Sequence, residues 1–274
     1  MALPVLPQDV FDEIISQLTG ETSILKSCSL VCRSFRRNAQ KMLFNHTIVM
    51  LAYDDSDVAY FPNYISPGPQ LNNLVLIVKH ASHLIEYIQE LRIHCAGERC
   101  PPDFNARDTA DLANALVTFS RNGEFPINLR SFSFEIDGLR RWDDITSWAQ
   151  HALMLLMSVD SLRQIALDGI SECPADIFQN LPLLKHLSLI TTTFSSLPTT
   201  QKQLPKLKSL TIYFLAGARG RLDQFSNNVE RIVNTTELKT FEGGDCTLST
   251  MPVIEQILRP TSNSLERLTL KEIS

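Results

Sequence analysis

The chain has 274 residues, a formal net charge of −5 and a sequence pI near 5.7. Its hydrophobic fraction of 44 % and charged fraction of 20 % are those of a folded chain and exclude long disorder; the length allows one large unit, or a small domain and a larger one. The acidic balance argues against a dedicated nucleic-acid binder, whose affinity depends on a basic surplus against phosphates.

The amino terminus reads MALPVLPQDVFDEII, with prolines and acids among its apolar residues and no basic stretch ahead of them, so it is not a signal peptide. No segment reaches the roughly 18 uncharged apolar residues of a membrane span, and HALMLLMSV is far too short. A cytoplasmic or nuclear protein with no membrane contact is expected. Six unevenly spread cysteines then give no disulfide framework. The acceptor patterns at Asn45-His46-Thr47 and Asn234-Thr235-Thr236 are read as chance matches.

Val10, Phe11, Ile14, Ile15 and Leu18 recur at the spacings of one helix face, with Asp9, Asp12 and Glu13 in the first turn, where acids suit the helix dipole. Gly20 is the expected C-cap. A second helix is predicted from Ser23 as N-cap through Ile24, Leu25, Cys28 and Val31. A third carries Phe35, Ala39, Met42 and Leu43 on one side and basic residues on the other. HTIVMLAY then reads as a strand. Three short helices bury too little surface to stand comfortably alone. Leu6, Ile15, Leu30, Val31, Phe35 and Phe44 exceed what one small core can cover. At about 25 cal/mol per Å² of apolar area, the excess either packs on the rest of the chain or meets a protein partner.

LPQDVFDEIISQL, LKSCSLVCRSFRR and KMLFNHTIV together resemble the F-box. Leu6, Pro7, Asp9, Ile14, Leu18, Val31, Cys32, Phe35, Arg36, Leu43 and Phe44 match the positions of that family pattern. Phe35 and Phe44 stand where Trp is more usual, and the loop at 19–22 is about two residues long for the family. The resemblance covers about a sixth of the chain. It implies a three-helix module that docks onto the small adaptor of SCF-type ubiquitin ligases, and through it onto a cullin. The contact residues it implies are Leu6, Pro7, Ile14, Leu18, Leu30, Val31, Cys32, Phe35, Arg36, Leu43 and Phe44. Cys28 is expected towards the internal core, Cys32 beside the docking surface, Arg36 as a local hydrogen-bonder or interface rim, and Arg33 and Arg37 as solvated.

Asp54, Asp55 and Asp57, followed by FPNYISPGPQ, read as a linker, giving a first domain over 1–50, a linker over 51–70 and a second domain over 71–274. Beyond the linker one pattern recurs: apolar, two others, apolar, one other, apolar. It is carried by Ile88/Leu91/Ile93, Leu129/Phe132/Phe134, Leu162/Ile165/Leu167, Leu184/Leu187/Leu189 and Leu207/Leu210/Ile212. A degenerate copy, Leu238/Phe241, precedes Leu265/Leu268/Leu270. Steps between copies run from about 22 to 41 residues. The alternating end of each copy suits a strand with one buried side. TADLANALVTFSR, WDDITSWAQHALMLLM and MPVIEQILRP carry helical spacings between copies. Strand then helix, repeated, predicts a mainly α/β chain in which the helical module precedes a curved solenoid with parallel inner strands and outer helices.

The Asn or Cys of regular leucine-rich repeats, three positions after the last leucine, is mostly absent: Ile170, Thr192 and Leu215 hold it, and only Cys246 fits. An irregular variant without the buried Asn ladder is expected. The combination resembles fungal-type F-box proteins with degenerate leucine-rich repeats, and ASHLIEYIQELRI looks like the start of a first repeat.

His80, His83, His94, Cys95 and Cys100 are the densest set of possible ligands, yet His94 and Cys95 point oppositely on a strand and do not form the two close pairs of a structural zinc site. Phosphate loops, nucleophile elbows and dinucleotide fingerprints are absent; GARGR (217–221) reads as a turn and Asp143-Asp144 as a solvated helix start. The expected chain is no enzyme, with neither cofactor nor metal. It would serve as the substrate-recognition subunit of an SCF-type ligase, its repeat surface holding a target protein, or as an F-box scaffold that assembles proteins without ubiquitylation. Trp142, Trp148 and Tyr213 are either target anchors or core.

Overall fold

The recurring apolar triplets become the inward rows of one parallel sheet in the computed structural model, which describes residues 7–52, 80–96, 128–145, 147–178, 181–195, 204–213, 232–244, 246 and 250–271. Three helices come first: α1 (Gln8–Ser16), α2 (Thr22–Val31) and α3 (Arg33–Asn45). The strands are β1 (His46–Ala52), β2 (Glu90–Ala96), β3 (Ser131–Arg141), β4 (Gln164–Ser171), β5 (His186–Ile190), β6 (Ser209–Tyr213), β7 (Thr240–Gly244) and β8 (Arg267–Lys271). Helix α4 (Ser147–Met157) leads to β4 and α5 (Met251–Leu258) to β8. The chain is mainly α/β, and its eight strands lie in sequence order, each parallel to the next.

The register follows the triplets. Leu91, Phe132, Ile165, Leu187, Leu210, Phe241 and Leu268 pair across neighbouring strands as one row. Ile93, Phe134, Leu167, Leu189, Ile212, Gly243 and Leu270 form the next row in. Parallel sheets are usually buried on both faces and then read as continuous apolar runs. Here burial alternates along β3, β4, β5 and β6, because only one face carries the core. Into that core pack Ala149, Ala152, Leu153, Leu156 and Met157 of α4, Val253, Ile254 and Ile257 of α5, and Phe178 of a 3-10 turn (Ala175–Phe178).

The degenerate sixth copy has a packing reason. A side-chain carbon at Gly243 would lie 3.1 Å from the Phe241 ring, 3.2 Å from Cys246 Sγ and 3.3 Å from Leu270. Phe241 and Cys246 therefore occupy the volume that a leucine fills in the other strands. Strand β3 runs beyond its copy to Arg141, with an irregularity between Glu135 and Arg140. Gly169 of β4 lies against it at φ +74°, where a side chain would collide with the Ile136 and Gly138 carbonyls.

Thr192, three positions after Leu189, makes its own hydrogen bonds at the end of β5. It is buried, and its hydroxyl reaches the Leu167 carbonyl at 3.1 Å and the Ile190 carbonyl at 2.9 Å. Thr191 Oγ1 donates to Asp168 at 2.9 Å and accepts from the Gly169 N–H at 3.0 Å, and Thr193 Oγ1 accepts from the Glu172 N–H at 3.0 Å. Three consecutive hydroxyls thus satisfy strand-end groups at one repeat.

Several local expectations are corrected. Glu21, not Ser23, precedes the first turn of α2, and Ser23 lies inside the helix. Helix α1 ends before Gln17, so Gly20 (φ +92°) belongs to the loop. The approach to β2 is a 3-10 turn (Ser82–Tyr87). WDDITSWAQHALMLLM divides into a 3-10 turn (Trp142–Asp144) and α4, and Trp142 is buried in the core. The helix expected over 109–121, the remaining linker and GARGR lie outside the described residues. Among the described residues no helix is long and apolar enough to cross a membrane.

Candidate docking face

A single extended residue shapes the helical unit. Cys32, at φ −154° and ψ 167°, ends α2 and starts α3, so the chain turns without a loop. The inward stripes Ile15, Leu25 and Ala39 meet in a small core, with Leu18, Cys28, Phe35, Met42 and Leu43 packed around it. Phe11 meets Phe35 edge-on at 5.0 Å between centroids, a favoured aromatic geometry. Gln8 Nε2 donates to the Ser34 carbonyl at 2.9 Å, tying α1 to α3.

What this core leaves outside is apolar. Leu30 is 80 % exposed and Val31 71 %, and Cys32 beside them is exposed. Ile14 and Val10 on α1 and Ile24 on α2 are also exposed. Arg36 Nε donates to the Ser29 carbonyl at 3.3 Å, bracing the corner that presents Leu30 and Val31.

The residues implied by the F-box resemblance divide by environment. Pro7, Ile14, Leu30, Val31, Cys32 and Arg36 face solvent. Leu18, Phe35 and Leu43 are half-buried against the small core, and Phe44 packs on the core of the sheet. Leu6 lies outside the described residues. Val10 and Ile24 join the exposed apolar set although the family pattern does not mark them, and the single face expected for Val10, Phe11, Ile14, Ile15 and Leu18 divides, with Ile15 buried and Val10 and Ile14 exposed.

The helical unit is tied to the sheet. Its last helix runs straight into β1, which pairs with β2 from His46 and Glu90 onwards. The Gln89 N–H donates to the Asn45 carbonyl at 3.1 Å. Arg37, which is exposed, hydrogen-bonds the Tyr87 hydroxyl, whose pKa is raised mainly by burial and then by Glu86.

The described members of the set of possible metal ligands include a strand pair that splits between two faces. Cys95 is buried in the core, while His94 Nε2 lies 3.0 Å from Asp137 on the opposite face; Cys100 is outside the described residues. Among the described residues no three His, Cys, Asp or Glu side chains stand together as a metal site would require.

Compared with models of known protein families, with curated proteins and with solved structures, the chain matches none of them.

Proposed function

We propose that the chain is the substrate-recognition subunit of an SCF-type ubiquitin ligase: the helical unit is an F-box that docks on the ligase adaptor, and through it a cullin, while the sheet side holds a target protein. The observation that carries this is the exposure of Leu30 and Val31, two large apolar residues at the corner where the F-box pattern expects contact. Covering each is worth roughly 1.5–3 kcal/mol, and the chain's own core leaves both open. The sheet is read as an irregular leucine-rich-repeat solenoid. Its sequential parallel strands, the common register of the triplets and the Thr192 hydroxyl at the Asn position support that reading. The mechanism is proximity: the chain raises the effective concentration of the target beside the transfer enzyme and supplies no active site. Such a protein works in the cytoplasm or nucleus.

The test is capture of purified adaptor by the full chain and by Leu30→Asp/Val31→Asp, with the circular-dichroism spectrum as a folding control. Wild-type capture and a loss of at least about 100-fold in the folded variant are expected, from two lost apolar contacts and two buried charges. Equal capture by both chains would sink the proposal. Adaptor binding without any change in target turnover on loss of the protein would leave the scaffold role in its place.

A further inference from the structure

The sheet has a second ladder, one residue ahead of each strand. The Arg163 N–H donates to the Arg130 carbonyl at 2.8 Å, Lys185 to Arg163 at 2.8 Å, Lys208 to Lys185 at 2.8 Å and Lys239 to Lys208 at 2.9 Å. Each of these residues follows the first leucine of its copy: Leu129, Leu162, Leu184, Leu207 and Leu238. Five cations therefore stand in line, one per strand from β3 to β7. At about 4.8 Å between strands, the row is roughly 19 Å long. It ends at Gln89 on one side and Glu266 on the other, which hold the same position for β2 and β8.

The row is available and electrostatically costly. Arg130, Arg163, Lys208 and Lys239 are exposed and Lys185 is half-buried. Lys239 pairs with Glu266 at 2.5 Å, but no carboxylate among the described residues pairs with Arg130, Arg163, Lys185 or Lys208. Glu237, which feels Lys185 and Lys208, is held by Lys206 at 2.6 Å. Like charges on adjacent strands destabilise a sheet. Nor is the row an overflow of basic composition, since the chain has 25 Lys and Arg against 30 acids.

We propose that this row binds an extended acidic segment of a partner protein, running across the strands. The occupant follows from charge and from the row's surroundings. Its length matches about six residues of extended chain. Beside it, at the first strand position, stand Ser131, Gln164, His186, Ser209 and Thr240, which offer hydrogen bonds to a peptide. Neither line has a Phe, Tyr or Trp ring on which a nucleobase could stack, which disfavours single-stranded nucleic acid. The inference rests on the sheet as the target-binding half of the proposed function, and not on adaptor docking.

The probe is a fluorescein-labelled peptide of alternating Glu and Ser, titrated with the full chain by anisotropy at low and physiological salt. Saturable binding that weakens with salt is expected. Arg163→Ala/Lys185→Ala/Lys208→Ala should lose about tenfold in affinity, the order for three exposed ion pairs, while Lys26→Ala/Lys41→Ala/Arg259→Ala should stay within about twofold. If the first variant loses its circular-dichroism spectrum, the single Arg163→Gln and Lys208→Gln chains carry the comparison, at about two- to threefold each. Equal losses in the row and control variants, or no loss in either, overturn the proposal. An oligothymidine of the same length that binds as tightly, and is released by the same substitutions, overturns the choice of a peptide. Adaptor capture run in parallel separates the two readings: row variants that keep the adaptor but lose the peptide support the row, and peptide binding without adaptor capture sinks docking alone.

Discussion

Cys32 and Cys173 share a side chain and differ in everything around it. Cys173 is fully buried, and burial alone pushes its thiol far above the ordinary range, whereas Cys32 is exposed beside Leu30 and Val31. The thiolate is the reactive form, so iodoacetamide should modify Cys32 in the native chain and Cys173 only after unfolding. Mass spectrometry of peptides reads both, and, on the docking proposed above, saturating adaptor should protect Cys32. Thr192 tests a different interaction. Thr192→Val removes a hydroxyl whose one hydrogen is shared between the Leu167 and Ile190 carbonyls and should cost about 1–3 kcal/mol in urea denaturation, while Thr192→Ser should recover most of it. His186 carries a pH dependence. Burial, and then Lys208, lower its pKa from 6.5, so below that value the unfolded chain takes up a proton that the folded chain resists. Stability should fall as pH drops through the range just below 6.5, and His186→Gln should flatten that part of the curve. The Thr191–Thr193 cluster is not legible in the sequence, because three threonines in a row are as common on a solvated turn as at a strand end where their hydroxyls meet backbone groups.

At the scale of elements, what was legible was whatever the apolar period reports. The triplets of the first six copies are buried as period-two alternation requires, and the pairing register follows from it, whereas Leu268 and Leu270 of the seventh keep the register but are 49 % and 41 % exposed. Helices α1 to α5 were visible for the same reason, while their ends were not: Glu21 at the start of α2 and the 3-10 turn at Ser82–Tyr87 depend on local backbone geometry that weak capping signals do not specify. The exposed face of the helical unit was named from a family pattern, and only the geometry separates Leu30 and Val31 from Phe44, since all three are equally apolar as letters. The β3 irregularity left no periodic trace. Its partner did, as Gly169, where substitution is informative. Gly169→Ala places a side chain against two backbone carbonyls at positive φ and should destabilise the chain by more than about 1 kcal/mol, measured by chemical denaturation.

For the whole molecule, the helical unit and the sheet are built as neighbours. Strand β1 continues from α3 and covers the edge of β2, which carries Leu91 and Ile93. Removing residues 1–52 should therefore lower the thermal midpoint by at least about 3 °C relative to removal of residues 1–45, which keeps β1. The unbroken strand order has a consequence for how the molecule breathes. Each strand is held only by the one before it and the one after it, so opening one end leaves the hydrogen bonds at the other untouched. Amide exchange should grade along the chain: slowest in β4 to β6, which lie in the middle of the strand order, and fastest in β8, which pairs with one strand among the described residues and whose Leu268 and Leu270 are 49 % and 41 % exposed. Protection would then be a map of distance from the nearer end of the strand order.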